Sequence, residues 1–325
     1  MITIQFPKQF GRDTLEFFFK DLEKNLNAVS VCVDCSTLEF SYPSGMLIAG
    51  SKIRKWIEYR RENGLVTDIK GHDSNKKAHG YLGHLGFFDF IGFEEGKTVG
   101  EAKGSITYLP ITLIQKPIID FKDHSLQDWY DDIMSKTRRL ANLLSGTNEY
   151  TEENRLYHYA LREIVRNVFE HSGSNECHIC GQRWANGRVE VAVVDNGIGI
   201  AKSLQRSYAI ESQSQALRMS IKPGVSSTRK IPENENIYDN SGFGLYVLNE
   251  LASSFGWFLL GSGDAKLVSQ GQRINVTKLS FRGTYIGLKL NKAPSQFSGL
   301  CKDIILSGED ESGVKVKASG MSKYY

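Results

Sequence analysis

The stretch from Leu161 to Ile200 constrains the fold more than any other part of the chain. Leu161-Arg-Glu163-Ile-Val-Arg-Asn167-Val-Phe-Glu-His171 repeats a polar side chain every four residues, at Glu163, Asn167 and His171, so these three lie along one side of a helix. Leu161, Ile164, Val165 and Val168 form the apolar side next to them. One side packs while the other faces open space. Val189-Glu-Val-Ala-Val-Val-Asp195 then reads as a strand. It ends in Asn196-Gly197-Ile198-Gly199, where glycine permits φ > 0 and a close backbone approach.

The chemistry of these groups points one way. The Asn167 side-chain oxygen is a hard, neutral ligand suited to Mg²⁺, which takes few protein oxygens and completes its shell with water and phosphate. Glu163, one turn earlier, is placed to orient or deprotonate a nucleophile beside that metal. Asp195 is an acceptor-only carboxylate, able to take the exocyclic amino donor that adenine presents. Ser241-Gly242-Phe243-Gly244-Leu245 opens an apolar-periodic run reaching Phe255, and glycines at a helix N-terminus expose N–H groups to phosphate. Phe281-Arg-Gly283-Thr284-Tyr-Ile-Gly-Leu288 reads as a closing strand whose Thr284 hydroxyl can reach the base or a bridging water.

In this order, Glu163-x₃-Asn167-x₃-His171, Asp195-x-Gly197-x-Gly199, Gly242-Phe243-Gly244-Leu245 and Gly283-Thr284 resemble the ATP-binding domain of the histidine kinase, gyrase, Hsp90 and MutL superfamily (GHKL). The resemblance covers about residues 151–290. It implies ATP and Mg²⁺ as cofactors, with Asn167 on the metal and Glu163, the candidate catalytic residue, near the attacking group. Asp195 would bind the adenine amino group, with Thr284 beside it. Gly242 and Gly244 would belong to the phosphate lid, and Phe243, Leu245, His171, Gly197 and Gly199 would complete the nucleotide site. The expected fold is a two-layer α+β sandwich with helices over one face of a mixed sheet.

Residues 1–100 read as a separate α/β unit. Ile2–Phe6 and Val29–Val33 are expected strands, Leu15–Asn25 has helical spacing, and Met46–Glu62 is an amphipathic helix with Leu47, Ile48, Ile53 and Ile57 inward. Leu65–Ile69 starts a further strand, and the Gly80–Phe88 segment suggests a last short helix. This order, with Val31-Cys-Val-Asp34 and the turn Tyr42-Pro43-Ser44-Gly45, resembles the STAS domain of anti-anti-sigma factors. Ser44 matches that family's phosphorylatable serine, although Tyr42 and Pro43 depart from its turn; the competing reading is that Ser44 caps the following helix. Residues 101–150 form a connector, an extended segment limited to an edge by Pro110 and Pro117 and an amphipathic helix over Gln127–Leu144. His124, ahead of it, reads as a loop histidine.

Residues of about 201–241 read as a lid or a flexible loop, with Ser226, Ser227, Thr228 and Lys230 available to close over phosphates. Residues 291–325 read as a tail. Cys32/Cys35 and Cys177/Cys180 lie in strand-like stretches, where residues three apart point to opposite faces; they read as reduced, buried thiols rather than a zinc site. The 40 Lys+Arg and 37 Asp+Glu leave a net charge of +3, which argues for no nucleic-acid partner. No apolar run approaches a membrane span, and the N-terminus lacks a signal core, so a cytoplasmic location is expected. No Gly-x₄-Gly-Lys-Ser/Thr loop or dinucleotide fingerprint occurs.

Three functions share such an ATP site. The first is an anti-sigma-like serine/threonine kinase or phosphorylation-linked switch acting on a protein partner, STAS-like or sigma-factor-like. The others are an ATPase, in which a homodimer closes around ATP, and a non-catalytic switch driven by ATP or ADP.

Overall fold

The computed structural model describes residues 1–117, 126–228, 241–313 and 318. His124, Lys230, the run up to Asn240 and most of the segment after Gly313 lie outside them. The N-terminal unit runs through strands Ile2–Gln5 (β1) and Gln9–Phe10 (β2), helix Leu15–Lys24 (α1), and strands Ser30–Asp34 (β3) and Phe40–Ser41 (β4). A wide π turn, Gly45–Ala49, leads into helix Gly50–Glu62 (α2), followed by strand Val66–Lys70 (β5) and short helices Lys77–His84 (α3) and Phe87–Phe90 (α4). β1, β3 and β5 pair in that order as a parallel sheet. Parallel neighbours need crossovers, which α1 and α2 supply.

The second unit begins with strand Tyr108–Gln115 (β6) and helices Leu126–Ser145 (α5) and Glu152–Asn167 (α6), the last extended by a π turn, Val168–Ser172. Strands Glu176–Arg183 (β7) and Val189–Asp195 (β8), helices Ile200–Leu204 (α7), Gln213–Ser220 (α8) and Gly244–Phe255 (α9), strands Gly256–Gln270 (β9) and Arg273–Leu290 (β10), and helix Phe297–Ser312 (α10) complete it. The sheet order is β6-β7-β8-β10-β9, and every pairing is antiparallel. The expected mixed sheet is therefore corrected. The short β7–β8 and β9–β10 connections are hairpins, which impose antiparallel pairing. β8 and β9 do run the same way, but β10 stands between them.

Two other expectations change. The connector belongs to the sheet: β6 pairs with β7, with Pro110 at the register shift between Leu109 and Thr112, and α5 buries Trp129, Ile133, Leu140 and Leu144 in the core under the helices. Beyond Leu290, where a tail was expected, α10 packs Phe297, Cys301 and Ile305, four residues apart, into the same core.

The second face of the sheet is also covered. Ile179, Val191, Val193, Leu260 and Leu288 face the helices, whereas Cys180, Ala192, Val194, Leu259 and Tyr285 pack against Phe6, Phe10, Leu47, Ile48, Phe87 and Phe90 of the N-terminal unit. Cys177 and Cys180 take opposite faces, and all five cysteines are free and buried. Polar contacts pin this seam. The Ser44 N–H and hydroxyl both donate to Glu190 Oε1, at 3.1 and 2.6 Å, and Lys52 and Lys55 donate to the Ser280 and Arg282 carbonyls at 3.0 and 2.8 Å. Ser44 is fully buried and makes no side-chain helix cap, so the capping reading is corrected: its hydroxyl serves the Glu190 carboxylate of β8. Among the described residues no helix is long and apolar enough to cross a membrane.

Candidate nucleotide-binding site

The site grows from α6. Thr151 caps the helix by accepting the Asn154 N–H at 3.2 Å, and Glu152 and Glu153 occupy its first turn, where carboxylates offset the positive end of the helix dipole. The apolar side sinks into the core and turns Glu163, Asn167 and His171 toward one cleft. The π turn after Asn167 widens the helix where the comb ends, a distortion common at functional sites.

Asp195 closes β8 at the cleft floor and is 5% exposed. Its Oδ1 accepts the Gly197 N–H at 2.7 Å, and Thr284, its register partner on β10, bonds it through backbone and hydroxyl. Burial raises its pKa to about 6 against the pull of these bonds and of the Lys55 charge. Lys55, itself partly desolvated, is lowered to about 8. A cation from the N-terminal unit therefore stands behind the floor of the cleft.

At the other end, Gly242, Gly244 and Leu245 bring the first turn of α9 to the cleft. A Cβ on Gly244 would come within 2.4 Å of Glu163 Oε2, so a side chain there would push the Glu163 carboxylate out of its place. Glu163 Oε1 accepts from Arg162 at 3.1 and 2.9 Å and pairs with Arg166 at 3.6 Å. Its other oxygen is left toward Gly244. The Asn167 side-chain nitrogen is buried without a hydrogen-bond partner. Rotation of the amide would place its oxygen there instead, so this group fits either a phosphate acceptor or a Mg²⁺ ligand.

Glu163, Asn167, His171, Asp195, Gly199, Gly242, Gly244, Leu245 and Thr284 thus line one cleft. Two expected residues do not. Phe243 is fully buried and packs against Tyr246 in the helical core. Gly197 lines a neighbouring hollow, and its role is close approach, since a Cβ there would meet the Ser172 carbonyl oxygen at 2.3 Å.

Sequence reasoning missed the apolar walls, Ile164, Val168, Ile200, Leu204, Leu260 and Ile286. Several are ordinary core positions that share a side with the polar comb, and only the fold distinguishes them. After α8 the described residues up to Thr228 pack as a cover: Ser226 and Ser227 line the cleft and are buried. The Ser227 hydroxyl lies 3.1 Å from His171 Nδ1, its carbonyl accepts from Ser207 at 2.6 Å, and Val225 backbone lies against Gly242. His171 contacts the cover.

Residues 151–293 match the family model described as histidine kinase-, DNA gyrase B-, and HSP90-like ATPase. This part of the chain, from the cap of α6 past the end of β10, is a GHKL-type ATP-binding domain. No curated protein matches the chain.

Proposed function

We propose that the chain is a Mg·ATP-binding regulatory protein in which nucleotide occupancy sets the position of the cover over residues 201–228 and the seating of the N-terminal unit. Asp195 and Thr284 take the adenine edge against the apolar walls, the α9 N-terminus receives the phosphates, and Asn167 holds Mg²⁺. The metal, when bound, neutralises phosphate charge. The observation that carries the reading is the convergence of a buried carboxylate, an unpaired buried amide and a glycine-opened helix start on one cleft.

A conformational switch is the version the geometry favours. The N-terminal unit packs on the back of the same sheet, and Lys55 links it to the strand carrying Thr284, so a change at either side has a physical route to the other. Phosphoryl transfer is the second reading, motivated by the free Glu163 oxygen facing Gly244. In it Glu163 activates a partner's hydroxyl or a water. Ser44 is a poor acceptor within one chain, being sealed under Glu190, so a kinase of the anti-sigma type would act on a separate STAS-like partner.

Incubation with Mg²⁺ and γ-labelled ATP, with Asn167→Ala as control, separates these readings. Tight binding with the label left on ATP supports the switch. Label on protein supports the kinase, and label released as phosphate supports an ATPase. Equal nucleotide binding by wild type and Asn167→Ala would refute the assigned site.

A further inference from the structure

The seam between the N-terminal unit and the sheet is not filled throughout. A cavity opens between the start of α1 and the edge of β8, β9 and β10, lined by Arg12, Tyr42, Ser44, Glu190, Trp257 and Lys289 with their neighbours. Glu190 and Lys289 are register partners on β8 and β10, five residues along the same strands from Asp195 and Thr284. The cavity is therefore distinct from the nucleotide cleft.

Two cations face it with donor capacity to spare. Arg12 gives Nε to Asp13 at 3.0 Å and Nη2 to Gln270 at 3.2 Å, but its Nη1 is buried and has no acceptor. Lys289 stands 5.3 Å from the Tyr42 ring centre and 5.9 Å from that of Trp184. Among the described residues its ammonium makes no hydrogen bond or ion pair. The acids nearby do not satisfy these donors. Asp13 has a side chain 84% exposed, and Glu190 Oε1 already accepts from Ser44 while burial raises its pKa. Trp257, with the Arg12 guanidinium 4.9 Å above its ring centre, and Tyr42 supply flat apolar walls.

We propose that this cavity binds a small organic carboxylate, whose oxygens accept from Arg12 Nη1 and the Lys289 ammonium while its carbon skeleton lies along Trp257 and Tyr42. The recess is lined mainly by polar and charged side chains, with Tyr42 and Trp257 as its two aromatic faces, so it suits a small polar ligand that carries a charged group. A carboxylate suits it better than a phosphate, because Asp13 and Glu190 already stand beside the two cations, and a ligand with a single charge adds least to them. A phosphate would bring nearly two charges beside that buried acid. The bound acid bridges both units, as Arg12 comes from the first and Lys289 from the second.

Calorimetric titration of the full chain with L-malate, L-glutamate, benzoate and inorganic phosphate, repeated on Arg12→Gln and Lys289→Gln, tests this. One carboxylate is expected to bind at one site per chain and to weaken about tenfold or more in each variant, the loss of a charge-assisted hydrogen bond, with the melting temperature of the unliganded chain held. Melting curves keep the result independent of nucleotide binding. Should Arg12→Gln fail to fold, Lys289→Gln decides alone. No binding by any carboxylate, affinity unchanged in the variants, or phosphate binding as tightly as the best acid would overturn the proposal.

Discussion

The pH dependence of adenosine binding follows from the burial of Asp195. Unliganded, this group titrates at about 6, so near pH 7.5 it is ionised and ready to accept the adenine amino group. Below about 6 it holds a proton that binding must expel, and affinity should fall about tenfold per pH unit. If the bound carboxylate returns to its ordinary value of 3.8, the full loss is roughly 150-fold, or ~3 kcal/mol. In the unliganded chain the same group is protonated more readily folded than unfolded, so its contribution to stability falls as pH rises from about 4 to about 6. Calorimetry with adenosine, rather than ATP, keeps phosphate titration near pH 6 out of the signal. Asp195→Asn should bind weakly and lose the pH step. Constant affinity from about pH 7.5 down to 5, or the same step in Asp195→Asn, would refute the assignment.

Further consequences can be measured separately. Gly244→Ala improves helix propensity by ~1 kcal/mol but drives a methyl into Glu163 Oε2; nucleotide affinity should drop by about tenfold or more with little change in melting temperature. Ser44→Ala removes the hydroxyl that donates to the buried Glu190 carboxyl and leaves it only the backbone N–H of residue 44, and denaturant unfolding should show a loss of ~1–3 kcal/mol, reduced when combined with Glu190→Gln. His178 lies in the seam 4.9 Å from Phe90, and burial lowers its pKa to about 4. Because it is more readily protonated unfolded, stability should fall as pH drops from about 6.5 toward 4, and His178→Phe should blunt that fall.

Much of the site was legible because its determinants are local. A four-residue polar spacing on an apolar helix, and glycines where a strand or helix terminates, show in any linear reading of Glu163 to His171 and Asp195 to Gly199. Phe243 misled because its neighbours on both sides do line the cleft; successive residues of a helical turn point about 100° apart, and Phe243 is the one turned into the core. The third layer was harder to see, yet a signal existed. β8 is buried at all seven positions, and in Val189-Glu-Val-Ala-Val-Val the apolar residues fall on both faces, the pattern of a strand covered on two sides. What covers the second face is set by long-range packing of Phe10, Leu47 and Phe90. No local pattern encodes that. The partner of Ser44 was hidden for the same reason, since Glu190 lies far away in sequence.

The central claim is that the cleft between α6, β8 and α9 binds an adenine nucleotide. Calorimetric titration of the full chain with Mg·ADP tests it most directly, with Asp195→Asn and Asn167→Ala beside the wild type. The account predicts one saturable site per chain, weakened at least about tenfold by Asp195→Asn, and by Asn167→Ala chiefly when Mg²⁺ is present. Absence of binding in the folded wild type, or binding that neither substitution alters, would contradict it.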